Sequence, residues 1–217
     1  MSLYRHQITY NDDAIVKVMN VMWDISKKQK DLEQVNAKYI PLAVASFNKG
    51  IDIMLKTQIT VNGKKTVWCA QHDEITLQPA LARAYELPSL SGSESVGITR
   101  TLMMVENPSA EVKQAIKDAV DWFNSAKLFD ISTKQVPDVT GPNGYDVVVY
   151  STPGTTTWAR FYDLTTGLPF FCGRDGIKKA TLAEIEIERR AGYAWYGNWP
   201  AGLITTEYSA WKTKNGL

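Results

Sequence analysis

The sequence predicts a mainly α-helical fold with a small β-hairpin region. Three observations carry this. Apolar residues recur at helical spacing in four stretches, capping signals precede them, and strand-like runs appear only near residues 147–173. A hydrophobic content of 44% is enough for one sizeable core. No Pro/Gly/Ser-rich linker, charge run, repeat or low-complexity tract divides the 217 residues, so a single domain over 1–217 is expected.

The first helix is expected from Asn11, with Asn11 as N-cap and Asp12 and Asp13 at the positive end of its dipole. Ile15, Val18, Met19, Met22 and Trp23 then form its apolar stripe. A second helix runs from about Pro41, which the first turn tolerates, with Val44, Phe47, Ile51, Met54 and Leu55 on one face. Asn62-Gly63 marks a tight turn leading into Thr66-Val67-Trp68-Cys69. Gln71 to Leu90 lacks a clean period and reads as a structured loop. Ser91-Gly92-Ser93-Glu94 is a capping box that opens a helix through Val105, and Ser109 caps the next, with Val112, Ile116, Val120 and Phe123 inward. So short a connection makes these two antiparallel neighbours.

The period then changes. Val147-Val148-Val149-Tyr150 and Trp158 to Leu164 are strand-like, and Thr165-Thr166-Gly167 fits a three-residue hairpin loop that returns through Phe170 to Gly173. If Leu164 faces Leu168, then Arg160 faces Cys172, and Arg160 and Arg174 share one face roughly 7–8 Å apart. After Thr181 the signals conflict: a capping box, Thr181 to Glu184, overlaps a strand-like alternation of isoleucines and glutamates.

A net charge of +1 leaves no overall field to attract a polyanion, so no nucleic-acid partner is expected and an acidic ligand must meet a local cluster of cations. No stretch is apolar and long enough to span a membrane, and no signal peptide precedes the first helix. Met1-Ser2-Leu3 runs at once into what reads as the middle of a domain. Cys69 and Cys172 could form one bridge or stay as two buried thiols.

Arg83, Arg160, Arg174, Arg189 and Arg190 lie in the irregular and strand-like segments, among Tyr85, Trp158, Phe161, Tyr162, Tyr193, Trp195, Tyr196 and Trp199. Planar guanidinium forks beside aromatic faces can hold carboxylates while sugar rings stack. On composition alone the plainer reading stands ahead: aromatics fill the core and arginines pair with nearby glutamates. Asp12 and Asp13 read first as helix-terminal acids. His72-Asp73 is a weak metal or acid/base signal.

Five blocks, in order, resemble family 10 polysaccharide lyases, the pectate lyases. They are Ile8 to Ala14; Thr66 to Asp73 followed by Ala82-Arg83-Ala84-Tyr85-Glu86-Leu87-Pro88-Ser89-Leu90-Ser91-Gly92-Ser93-Glu94-Ser95; Trp158-Ala159-Arg160-Phe161-Tyr162-Asp163; Phe171-Cys172-Gly173-Arg174-Asp175-Gly176; and Glu188 to Gly197. The resemblance implies an (α/α) toroid, Ca²⁺-assisted β-elimination of polygalacturonate and oligogalacturonate, and a secreted or periplasmic parent protein. It places Arg83 at the base position, Arg160, Arg174, Tyr85 and Tyr162 at the substrate, and Asp12, with Asp13 as fallback, at the metal. Such domains extend further upstream, which implies a toroid incomplete at its N-terminus. On that footing two further expectations arise: a fragment that binds oligogalacturonate without turning it over, and an uncovered apolar face that favours weak homodimers. A hydrolase using Asp73, Glu86 and Glu94 is the third reading.

Overall fold

Helix geometry in the computed structural model, which describes residues 4–217, follows the periodic stretches closely. Met1-Ser2-Leu3 and the reading attached to it lie outside the described residues. The helices are α1 (Ala14–Lys27), α2 (Ile40–Thr57), α3 (Glu94–Met103), α4 (Ala110–Ser125), α5 (Ile187–Gly192) and α6 (Tyr208–Lys214). Pro41 sits in the first turn of α2, and Ser109 Oγ accepts the Val112 N–H to cap α4. Val16 and Met19 from α1 meet Phe47, Ile51 and Met54 from α2 in the main core. Val18 and Val44, expected inward, are exposed instead.

Asn11 does not cap the first helix. Asp12 (φ 53°) and Asp13 (φ 59°) are both left-handed, so α1 begins only at Ala14 and the acids stand before it rather than in its first turn. Such a conformation is uncommon for residues with a Cβ and clusters at functional positions.

The strands are β1 (Ile8–Thr9), β2 (Thr60–Val61), β3 (Lys64–Lys65), β4 (Gln71–His72), β5 (Leu90–Ser91), β6 (Leu128–Pro137), β7 (Tyr145–Ala159), β8 (Phe161–Tyr162), β9 (Phe171–Cys172), β10 (Lys178–Lys179) and β11 (Tyr196–Gly197). All pair antiparallel: β1 with β4, β2 with β3, β5 with β8, β9 with β10, and β11-β7-β6 as a three-stranded sheet. Asn62 and Gly63, both at positive φ, make the expected tight turn between β2 and β3.

The expected (α/α) toroid is therefore corrected. Among the described residues, 43% are helical. The rest of the ordered chain goes to small sheets; α5 has six residues, and α6 continues a π-helical stretch, Leu203–Glu207. Between α4 and α5 the chain forms the long antiparallel ribbon β6–β7. No described helix is long and apolar enough to cross a membrane.

The hairpin after Trp158 is real, but its register is one residue away from the expected one. Tyr162 bridges Pro169, Phe170 donates to the Phe161 carbonyl, and β9 then leaves to pair with β10. A slip of one reverses every side chain. Arg174 lies beyond the paired residues, so it and Arg160 are not the diagonal neighbours of the expected register; the Arg160 side chain is enclosed and that of Arg174 largely exposed. The cause is the loop. Asp163 Oδ1 accepts from Thr165 N, Thr166 N and Thr166 Oγ1, while Asp163 N reaches Leu168 O, closing a longer turn than three residues.

The same loop occurs twice. Trp68-x-x-x-His72-Asp73-x-x-Thr76-x-x-Pro79 and Trp158-x-x-x-Tyr162-Asp163-x-x-Thr166-x-x-Pro169 share one spacing. Asp73 Oδ1 accepts from Ile75 N, Thr76 N and Thr76 Oγ1, His72 bridges Pro79, and Leu77 and Gly167 occupy the same left-handed position. The chain thus does contain an internal repeat. Each tryptophan is buried, and each indole donates to a carbonyl in the last turn of the preceding helix, Trp68 to Met54 O at 2.6 Å and Trp158 to Phe123 O at 2.8 Å. Carbonyls in the last turn of a helix lack the usual backbone donor, and Met54 O has besides the indole only a long contact from Thr57 Oγ1 at 3.4 Å. A second, aromatic core of Tyr85, Phe161, Phe170, Phe171, Leu182, Ile185 and Trp195 lies beneath the second loop. Cys69 and Cys172 are free, buried thiols.

Replacing Trp68 by Phe should lower the unfolding free energy by about 0.5–1.5 kcal/mol, since the Met54 carbonyl loses its short donor and keeps only the long Thr57 contact. Urea denaturation of the variant checks this, and an unchanged midpoint would show that the indole bond contributes nothing.

Candidate active site

Arg83 and Arg174 each lie downstream of one of the two Asp-Thr loops, and both come to rest on the same ring. Tyr85 is 5% exposed, and around it lie the guanidinium groups of Arg83 at 5.4 Å, Arg174 at 5.9 Å and Arg189 at 4.7 Å. Tyr193 meets Tyr85 edge-on with centroids 5.2 Å apart, and the Arg160 guanidinium lies 4.6 Å over the Tyr193 ring. Four arginines are thus gathered by two tyrosines, which supply negatively polarised faces and a dry floor.

Buried charge needs a partner, and three glutamates provide it. Glu86, 2% exposed, accepts from Arg83 Nε at 2.7 Å, from Arg83 Nη2, from Arg83 N at 3.2 Å and from the Tyr193 hydroxyl at 2.9 Å. Glu188 takes Arg174 through Nε and Nη2, both at 2.9 Å, and Arg189 through Nε at 2.7 Å and Nη2. Glu94, 3% exposed, pairs with Arg160 Nη2 and accepts from Ser91 Oγ. Hydrogen bonds to Glu86 hold the Arg83 guanidinium above the ordinary arginine pKa. Burial, the largest single influence, lowers that of Arg160, yet the Glu94 charge and hydrogen bond together with Tyr193 and Asp12 leave it raised. For Glu188 the bonds from Arg189 and then Arg174 bring the carboxyl down to about 2.

Exposure separates the four. The side chains of Arg83 and Arg174 are 42% and 61% exposed, whereas those of Arg160 and Arg189 are 11% and 10% exposed. Arg83 and Arg174 turn one edge to a glutamate and keep the other edge open. With Asp12 near Arg160, four carboxylates face the four arginines, so an anion would be drawn by the open edges of Arg83 and Arg174 rather than by an excess of positive charge.

Asp12 stands at the margin, its side chain 72% exposed and its Oδ1 3.9 Å from Arg160 Nη2. Asp13 diverges: its Oδ1 packs where a Cβ on Gly97 of α3 would sit. Their successive left-handed backbones send the two carboxylates apart. Among the described residues no three His, Cys, Asp or Glu side chains converge as metal ligands. Asp12 has the chemistry of one calcium ligand, against the roughly six to eight oxygens that calcium takes, so these residues alone do not fit a complete calcium site.

Tyr162 belongs to the core. It is 1% exposed, and its hydroxyl donates to Ala126 O and accepts from Ala159 N. Asp73 is spent on its own loop, and Glu86 and Glu94 on arginines, so the three acids do not form a hydrolase pair. His72 is buried as well, its Nε2 accepting from Cys69 N and its Nδ1 facing Leu77 O. Glu188 and Tyr193 are site residues to which the sequence assigned no role, although Tyr193 stands among the aromatics associated with the arginines. Their signal is the Glu188-Arg189-Arg190-Ala191-Gly192-Tyr193 block, where arginine and tyrosine adjoin a glutamate.

The profile of the pectic acid lyase family matches residues 1–204. Among solved structures, a variant of a family 10 polysaccharide lyase from Cellvibrio cellulosa, in complex with trigalacturonic acid, is 34% identical with a TM-score of 0.84, over 100% of this chain and 65% of that one. The family 10 polysaccharide lyase from the same organism is 35% identical with a TM-score of 0.81, over 97% of this chain and 62% of that one. This chain thus spans less than two thirds of their length. A search of curated proteins gives no match.

Burial lowers the His72 pKa from its ordinary 6.5 to about 4, the Leu77 carbonyl opposing this in part. As pH falls, the unfolded chain takes up this proton first. Stability should therefore be flat above about 6.5 and fall by on the order of 3 kcal/mol between about 6.5 and about 4, with no further loss from this group below. Urea midpoints across that window test this; a His72→Asn variant with an equally steep slope would assign the loss elsewhere.

Proposed function

The chain belongs to the pectic acid lyase family, and from that premise we propose that it binds polygalacturonate at the arginine cluster and cleaves it by β-elimination. The observation that carries this reading is the pair of open guanidinium edges, on Arg83 and Arg174, held over Tyr85 by the buried Glu86 and the half-exposed Glu188. An open fork in a partly dry setting suits a uronate carboxylate in bidentate contact. Arg160, nearly enclosed and facing Asp12, adds positive potential from below and offers little surface to a sugar. Tyr193 also walls a cavity of about 530 Å³, with Tyr145, Gln135 and Tyr196 among its other faces, but none of the four clustered arginines lines it.

In this reading the proton on C5 leaves, the C4–O bond breaks with its electron pair going to the departing oxygen, and a C4=C5 double bond forms. Negative charge gathers on the carboxylate attached to C5, and guanidinium groups already in place stabilise it without reorganisation. Arg83 is the proposed acceptor of the C5 proton, which requires its neutral form. The bidentate pair with Glu86 works against that form, so a second reading has a specific observation behind it: Arg83 stays charged and steadies the carboxylate while another group takes the proton.

Calcium enters this proposal with the substrate. Asp12 would supply one oxygen and the uronate carboxylates others, and the ion would neutralise part of their charge.

Polygalacturonate incubated with the chain and calcium should yield the ultraviolet absorbance of an unsaturated product, and a chelator should reduce it. Binding by calorimetry without absorbance would select a non-catalytic oligogalacturonate-binding piece, while saturated products would sink the lyase reading. Arg83→Ala should lower kcat by about 10²–10³-fold or more. Rescue by added guanidine that tracks its neutral fraction supports the base, and rescue independent of that fraction supports the charge stabiliser.

A further inference from the structure

We propose that Tyr193 is a positioning residue that ties Arg83 to Arg160 and so fixes which carboxylates of a uronate chain can be held together; this rests on the reading of the site given above. Tyr193 comes directly after α5, in extended conformation (φ −146°, ψ 143°). Three aromatic neighbours fix its ring plane: Phe161 stacks at 6.1 Å with 25° between planes, Tyr85 meets it edge-on at 5.2 Å, and Trp195 lies at 5.1 Å and 63°. One ring face receives the Arg160 guanidinium at 4.6 Å. The hydroxyl donates to Glu86 Oε1 at 2.9 Å, and that same carboxylate grips Arg83 at Nε, Nη2 and N.

The result is an unbroken line of contacts from Arg160, through the Tyr193 ring and hydroxyl, to Glu86 and Arg83. Arg160 has one strong polar anchor, Glu94 at Nη2, and its Nε is buried without a partner. The Tyr193 face is therefore what sets the plane of its guanidinium. Burial raises the Tyr193 phenol pKa well above the usual range, so the hydroxyl stays protonated and keeps donating. A ligand with one carboxylate needs a single cation in place. A ligand with several gains from cations whose spacing is fixed before it arrives, because ordering them costs nothing further on binding.

The test separates those two ligands. Tyr193→Phe keeps the ring, and with it the stacking and the Arg160 contact, and removes only the bond to Glu86. Calorimetric or NMR titration should show trigalacturonate affinity falling about tenfold while that of galacturonate changes by less than about twofold. If the variant turns over polygalacturonate, KM should rise more than kcat falls. Glu86→Gln leaves Tyr193 an acceptor but loosens Arg83, and should show the same selective loss; it serves if the first variant folds poorly. Equal losses for both ligands, or none for either, would overturn the proposal while leaving the site reading intact. Wild-type chain that binds neither ligand would remove the site reading and this inference together.

Discussion

Four guanidinium groups set over one aromatic floor create a desolvation problem, and the surrounding structure is arranged around its solution. Ionised groups leave water at a cost of several kcal/mol each unless a partner offsets it. Here the compensation is local and uneven. Arg160 and Arg189 are enclosed and bound to Glu94 and Glu188, whereas Arg83 and Arg174 are satisfied along one edge only. An anion approaching the cluster meets cations that are already oriented. The glutamates that make the cluster possible also temper it, most of all at Arg83, where Glu86 favours the charged form.

The floor under those charges explains the placing of several otherwise separate elements. Phe161, Phe170, Phe171, Leu182, Ile185 and Trp195 pack beneath Tyr85. Glu86 sits just before β5, which pairs with β8, the strand bearing Phe161. Arg160 donates its backbone N–H to Trp195 O, and Trp195 Nε1 donates to Arg189 O. These bonds connect the segments carrying Arg160, Arg189 and Tyr193. Because they join distant parts of the chain, the geometry of the cluster depends on the fold more than on any one loop.

Much of the helical part was legible from sequence, because α1, α2 and α4 each carry an apolar stripe, and Pro41 and Ser109 mark the starts of α2 and α4. The same periodicity misplaced Val18 and Val44, which lie on exposed flanks. Strand β6 gave no signal, since a ribbon washed by solvent on much of its surface has no apolar alternation to display. The association of arginines with aromatics was visible, but the choice between core filling and ligand binding is a false one: Tyr85 and Tyr193 fill core and carry cations at once. Site details failed where backbone conformation governs them. Two successive left-handed aspartates, or an Asp-Thr loop that moves a register by one residue, leave no trace in hydrophobic pattern. The repeat escaped notice because its shared spacing consists of single residues separated by unlike ones, and its meaning lies in hydrogen bonds.

That repeat has a consequence for how such a surface can change. The side-chain bonds that the two Asp-Thr loops share lie within the loop itself, from Asp73 or Asp163 to the next few residues, and the Lys178 contact with Asp163 Oδ2 is an addition at the second copy. Such a loop is portable: it turns the chain the same way regardless of the sequence beyond it. One copy leads to Arg83, and the other leads to Arg174 after one residue more. A corner that holds its shape from within leaves the side chains beyond it free to diverge. Two arginines of different depth and different partners can then descend from one pattern of turn.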